Sequence, residues 1–441
     1  MAVAGRATEL LWTRAKVLVW GRLSALSLVD QGLISGSGFI LNLLLARWLP
    51  AETYGAFAVA FAVFLFASGF HNVLLLEPMS VFGPASYADR LRDYFQSQLK
   101  VHAVLAGTLS GLILLSAVAL KAYGLRTPLT GALMGSGIAL PFLLLLWLAR
   151  RMCYVVQSPF SAVMGSVFYF VAMVAGLVAL RQRGMLNPFT AFLLVAAAST
   201  LASALLLYQH GIFGPGSEPQ GSLGWREVIR ENWGYGRWLV ASTALYAACS
   251  QTQTFLTAGL LGLGLAGVLR AMQMPSLVMT QMVVASGLLV MPSMSRDFGL
   301  GRIAHLRRKA TLTSAALAAI ALVYAAALFV AASPIERILF GGKYASFAWL
   351  IPLLGLMPLC TGFATGYSMA LRASQRPQFD LLANSVSAPV AVVSAVLFIR
   401  WWGIGGAAAS TVLGFAAYAA VFFLSYRARP WDCRGMARNG D

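Results

Sequence analysis

Residues 129–149, LTGALMGSGIALPFLLLLWLA, run for 21 positions without a charge, between Lys121 and Arg126 on one side and Arg150 and Arg151 on the other. A helix rises about 1.5 Å per residue and the hydrocarbon core of a bilayer is about 30 Å thick, so this stretch has the length and chemistry of a membrane-crossing helix. Eleven further runs of the same kind, bounded by charge, Pro or Gly, predict spans at 24–46, 55–76, 100–120, 159–180, 189–208, 237–258, 266–291, 310–332, 346–371, 380–399 and 403–425. The runs are continuously apolar, which excludes a transmembrane barrel, whose strands alternate apolar and polar residues over about ten positions.

Composition agrees. Of 441 residues, 59% are hydrophobic and 10% charged, with a mean hydropathy of +0.76. A soluble domain carries about 25% charged residues to cover its surface, so most of this exterior must face lipid. The predicted fold class is an all-α polytopic membrane protein with about twelve transmembrane helices in two six-helix bundles. No loop is long enough to fold as a separate catalytic domain. Cys153, Cys249, Cys360 and Cys433 are far apart and form no C-x-x-C, so neither a disulfide framework nor a zinc site is implied. The first 25 residues lack the apolar core and cleavage site of a signal peptide, and the mature chain is expected to start at Met1.

The net charge of +18 would point to nucleic acid in a soluble protein. Mapped onto the loops it reads differently. With the N-terminus inside, 23 of the 32 Lys and Arg fall in cytoplasmic segments and 8 in outer ones, while Arg270 lies within a span. This excess predicts an even number of spans with both termini cytoplasmic, and makes most of the charge a topological signal and a contact with anionic headgroups. No nucleic-acid partner is needed.

The longest polar interruption, 209–236, divides the spans six and six. It predicts an N-terminal lobe over 1–208, a cytoplasmic linker over 209–236, and a C-terminal lobe with its tail over 237–441. Two equal bundles joined by a linker is a layout common among transporters. The first helix of each half carries a polar stripe at helical spacing: Ser27, Gln31, Ser35, Gly38 and Asn42, then Ser242, Tyr246, Ser250, Gln253 and Thr257. Lipid offers no hydrogen bonds, so such stripes face a polar cavity or join helices. Helix packing is the expected use of Gly107/Gly111 and Gly131/Gly135.

Asp30 and Arg270 are the charges well inside spans, with Glu77 and Asp380 near cytoplasmic ends and Arg47 near an outer one. A charge at mid-bilayer costs several kcal/mol unless paired or wet, so these two are the sharpest functional signals. Asp30 borders the first stripe and is the candidate for coupling to a proton or sodium ion. A static pair with Arg270 is the alternative. Arg270 shares a helix face with Gln273 and Gln281. The four histidines, His71, His102, His210 and His305, read as isolated residues near helix ends. Gly262-Leu-Gly264-Leu-Ala-Gly267 fits G-x-G-x-x-G but follows no strand, and Walker, G-x-S-x-G and H-E-x-x-H motifs are missing, so neither nucleotide nor catalytic metal is expected.

Residues 29–64, VDQGLISGSGFILNLLLARWLPAETYGAFAVAFAVF, followed by HNVLLLEPMSVFGP at 71–84, resemble the N-terminal signature of Wzx-type polysaccharide-export proteins. The ARxLxxxxYGxFA element within them, with Ala46, Arg47, Leu49, Tyr54, Gly55 and Phe57, is similar to one in the wider superfamily of multidrug exporters and lipid II flippases (the MOP superfamily). AGVLRAMQMPSLVMTQM (266–282) and LFGGKYASFAWLIPLL (339–354) add further likeness. The resemblance implies two six-helix lobes around a V-shaped cavity, a MATE-like transporter, with charged residues on helices one and eight lining the cavity, where Asp30 and Arg270 fall here. It also implies a lipid-linked oligosaccharide as cargo.

These readings together predict a flippase of the cell inner membrane for undecaprenyl-diphosphate oligosaccharides in polysaccharide biosynthesis, making and breaking no bond and using no cofactor. Substrate contacts are expected at Arg270, Gln273, Gln281, Gln31, Asn42 and Gln253, with coupling at Asp30. Membrane lipids, a proton or sodium ion, and polysaccharide polymerase and export machinery are the expected partners. A multidrug/cation antiporter of the same fold is the main alternative; a membrane-embedded glycan polymerase or ligase would need a larger outer loop.

Overall fold

The computed structural model describes residues 2–124, 127–212, 224–374, 376 and 378–428, with side chains from Ala25 onward apart from 238, 242, 246–249, 288 and 289. The tail cations Arg429, Arg434 and Arg438 and the 213–223 part of the linker lie outside the described residues, as do the side chains of Ser242 and Tyr246 in the second stripe. All described regular structure is helical: α1 Ala2–Trp48, α2 Ala51–His71, α3 Glu77–Ser86, α4 Leu91–Ala122, α5 Pro128–Val155, α6 Pro159–Gln182, α7 Pro188–Gln209, α8 Trp225–Leu261, α9 Leu263–Gly299, α10 Ile303–Phe340, α11 Leu350–Leu354, α12 Leu356–Ala373, α13 Gln378–Trp402 and α14 Ile404–Arg427. A π-helical segment, Asn72–Leu76, joins α2 to α3. Among the described residues eleven spans are long and apolar enough to cross a membrane, and α8 covers the predicted span at 237–258.

Local chemistry sets many boundaries. Pro128, Pro159 and Pro188 open α5, α6 and α7, where the missing N–H has no partner to lose. Asn187 caps α7 in a reciprocal box with Thr190. Gly341, at φ +71°, ends α10 in the left-handed region that glycine enters freely. Inside α5, Pro141 cannot donate to the carbonyl of Gly137, and Ser110 on α4 supplies the missing bond at 2.7 Å.

The chain divides into two compact units, one of Met1–Leu44 with Ala67–Val240, the other of Leu45–Phe66 with Ala241–Asp441. In the first, α5 packs on α4 and α7, with Leu140, Leu144 and Leu146 enclosed and α6 against α7. In the second, α12 packs on α9, α10 and α14, and α13 on α14, around Met294, Leu306, Tyr367, Phe379, Phe422 and Tyr426. The packing expected at Gly107, Gly111 and Gly131 is not found: among the described residues nothing approaches where their Cβ atoms would stand. Gly135 alone meets a neighbour closely, the backbone of Phe189 at 3.0 Å. Small residues permit close approach but do not require it.

Candidate functional site

Asp30 is fully enclosed in the first unit and meets four donors. Arg150 Nε donates to one carboxylate oxygen at 3.2 Å and Nη2 to the other at 2.5 Å. The hydroxyls of Tyr154 and Ser166 donate one to each oxygen. Arg150 and Tyr154 stand one helical turn apart on α5, and Ser166 comes from α6. A carboxylate offers about four lone-pair positions, so this one is saturated. The ion pair that Asp30 forms is therefore with Arg150, not with Arg270; Arg150 stands just past the apolar run that ends at 149, and α5 runs on to Val155 and buries it. The Arg-Arg doublet after an apolar run was the available signal, and the run's apparent end at 149 hid it.

Arg270 lies in the second unit on α9, half-buried, and acts electrostatically on the enclosed Tyr54 of α2. No described carboxylate forms an ion pair with it. Gln273 is buried and Gln281 exposed on the same helix. In the first unit Gln31 is exposed and donates weakly to Ser35 at 3.4 Å, whereas Asn42 is buried and donates to the Gly38 carbonyl of its own helix. In the second unit Gln253 is buried and its amide is occupied by Ala391 O and Ser410 Oγ.

The histidines are not all isolated. His71 and His102, on α2 and α4, stand 3.0 Å apart nitrogen to nitrogen, and His210 meets Cys153 Sγ at 3.3 Å. A sequence separation of 31 residues gives no sign that two helix faces meet. Burial lowers the His210 pKa. Glu336 was also missed, because α10 extends beyond the predicted span. It is fully buried, with Oε1 accepting the Tyr344 N–H at 2.7 Å and Oε2 without a hydrogen-bond partner among the described residues.

The ARxLxxxxYGxFA element and the two later stretches that carry the sequence resemblance meet in the second unit. Lys343 Nζ donates to the carbonyls of Ala46 and Leu49, and Tyr344 OH to that of Ala46 at 3.0 Å. Arg47 donates to Ile338 O at 3.1 Å, near the end of α10. Gly55 lies so close to α9 that a Cβ there would overlap the Leu263 carbonyl, and one on Gly267 would meet Ala51 O at 2.5 Å. The G-x-G-x-x-G match is thus a turn glycine, Gly262 at φ +91°, followed by a packing glycine.

No protein-family model matches the chain, and no curated protein matches it. Solved structures do. An inward-facing MATE-family multidrug-resistance transporter of the MOP superfamily superposes with a TM-score of 0.76 at 12% identity, over 91% of this chain and 98% of that one. The lipid II flippase MurJ, inward closed, gives 0.68 at 12%, over 91% and 87%. A MOP-superfamily transporter from Pyrococcus furiosus gives 0.62 at 13%, over 92% and 94%. The chain has the fold of these transporters. At such identities the backbone path is what is shared, and the MOP-type fold by itself leaves the cargo open.

Proposed function

We propose that this MOP-fold protein is a flippase for a lipid-linked, undecaprenyl-diphosphate-type oligosaccharide, working by alternating exposure to the two faces of the inner membrane with both termini cytoplasmic. The observation that carries the reading is Arg270, an intramembrane guanidinium without a carboxylate partner among the described residues. A guanidinium fork gives a diphosphate two charge-assisted hydrogen bonds while the lipid tail stays in hydrocarbon. Exposed Gln281 and Gln31 are the better sugar-contact candidates; Asn42 and Gln253 already have protein partners. A drug cation would need an acid free to receive it, and Asp30 is saturated while Glu336 is enclosed. Coupling at Asp30 requires one of its four donors to leave.

Purified protein in liposomes should move a fluorescent lipid-linked diphosphate sugar. Arg270→Ala should abolish that movement with insertion intact, and Arg270→Lys should keep part of it, since charge survives and the fork does not. Efflux of organic cations without movement of the sugar lipid would overturn the reading, and normal flipping by Arg270→Ala would remove its cationic element.

A further inference from the structure

Asp30 has no vacant acceptor position, but one buried imidazole does. We propose that His71 and His102 form a one-proton binding site within the first unit, and that the transport cycle takes its coupling proton there. The proton-binding half stands independently of the cargo; the coupling half rests on the transporter reading above.

His71 is the last residue of α2, fully enclosed, directly before the π-helical segment Asn72–Leu76. Such π segments are frequent at functional positions. Its Nε2 meets Nδ1 of the buried His102 at 3.0 Å, with the ring planes 88° apart. A nitrogen-to-nitrogen contact of this length holds one hydrogen. The backbone of Pro141, whose carbonyl can only accept, acts on His102 as a hydrogen-bond partner; we place that donation at Nε2, the nitrogen turned away from His71, which leaves Nδ1 to accept. The shared hydrogen therefore belongs to His71 Nε2, and His71 Nδ1 is left as a bare, buried lone pair. Among the described residues no hydrogen-bond partner reaches that atom.

The stoichiometry follows. A proton added at His71 Nδ1 breaks no existing hydrogen bond and leaves the donation to His102 intact. A second would have to displace that donation and set two cations in contact. One proton per chain is what the pair can hold.

A polar column leads toward it. Tyr94, Gln98 and His102 recur at steps of four along α4. Gln98 Nε2 donates to Tyr94 OH at 2.7 Å and Gln98 Oε1 accepts from Asn232 of α8 at 3.1 Å. Asn232 is itself buried, its Oδ1 without a hydrogen-bond partner among the described residues, and one turn later Gly236 brings α8 against the π segment, where a Cβ would meet Val73 O at 2.7 Å. Tyr94 stacks on Tyr87, whose hydroxyl donates to Glu231 at 2.9 Å. Among the described residues His102 is the only titratable group acting on His71. Glu77 is held by Asn72, Tyr94 by Gln98, Glu231 by Tyr87, and Arg150 of α5 by Asp30.

The test uses the full chain in lipid nanodiscs with ¹⁵N-labelled histidine, titrated by NMR from about pH 8 to about pH 4, across the range in which imidazoles change charge. Two neutral Nε2–H rings, of which His71 gains one proton on Nδ1 while His102 stays neutral, with that uptake lost in His71→Gln, are the expected result. Rings that keep their neutral tautomers throughout, two independent uptakes, or uptake unchanged in His71→Gln would overturn the site. For coupling, pH-gradient dependence of flux should disappear in His71→Gln, and its full retention would overturn that half. One-proton uptake without movement of any sugar lipid would uphold the site and overturn the cargo.

Discussion

Arg150 on α5 holds both oxygens of Asp30 on α1 with one edge of its guanidinium, Nε at 3.2 Å and Nη2 at 2.5 Å, inside a single unit. Removing one partner of such a buried pair strands the other charge, at a cost of about 3–5 kcal/mol, whereas removing both is far milder. Arg150→Ala and Asp30→Asn should each lower the thermal midpoint of the purified protein, and Asp30→Asn/Arg150→Gln should recover most of the loss. Additive single effects would show that the two side chains act separately.

The same double variant separates a tie from a coupling site. With four donors on its carboxylate, Asp30 should be dispensable for ion dependence once folding is secured. Flux by the well-folded double variant is therefore expected to keep its pH and sodium dependence, and a flat response would return Asp30 to the coupling role.

Gly55 and Gly267 bring α2 and α9 together backbone to backbone within the second unit. Backbone cannot swing aside as a side chain does, so an added methyl must push the helices apart, at about 1–3 kcal/mol or more. Gly55→Ala and Gly267→Ala should both reduce the yield and melting temperature of the purified protein. Gly107→Ala, where nothing lies within 4 Å, is the matched control and should leave both unchanged.

This contact also explains what was legible in the sequence. Uninterrupted apolar runs mark spans because lipid demands them, so α4 to α7 and α9 to α14 could be read in outline. Ala46, Arg47, Leu49, Tyr54, Gly55 and Lys343 form a recognisable signature because they fasten one end of α1 and the start of α2 to α9 and the end of α10. That is packing chemistry, which a whole fold can share, and it carries no record of the cargo. Arg150, Glu336 and the His71–His102 pair were illegible for a different reason. Arg150 and Glu336 lie beyond an apparent span boundary, and the partners of Asp30 and His71 come from other helices, Arg150 from α5 and His102 from α4.

Lys343 offers a pH test outside the spans. Its ammonium closes the carbonyls of Ala46 and Leu49, near the C-terminal end of α1, while Arg47 does the same for Ile338 on α10, so each chain segment carries the cation that caps the other. Burial pulls the Lys343 pKa from its ordinary 10.5 down to about 8. The folded value lies below the unfolded one, so between them the unfolded chain keeps a proton that the folded chain has released. Stability from this group must then rise with pH from about 8 to 10.5 and carry its full desolvation cost below about 8. Lys343→Arg keeps a charge that does not titrate in this range and supplies no such rise. Thermal midpoints of the two proteins, compared from neutral pH upward, should diverge in favour of the wild type. Parallel curves would mean that the two carbonyls hold the ammonium charged across the whole range.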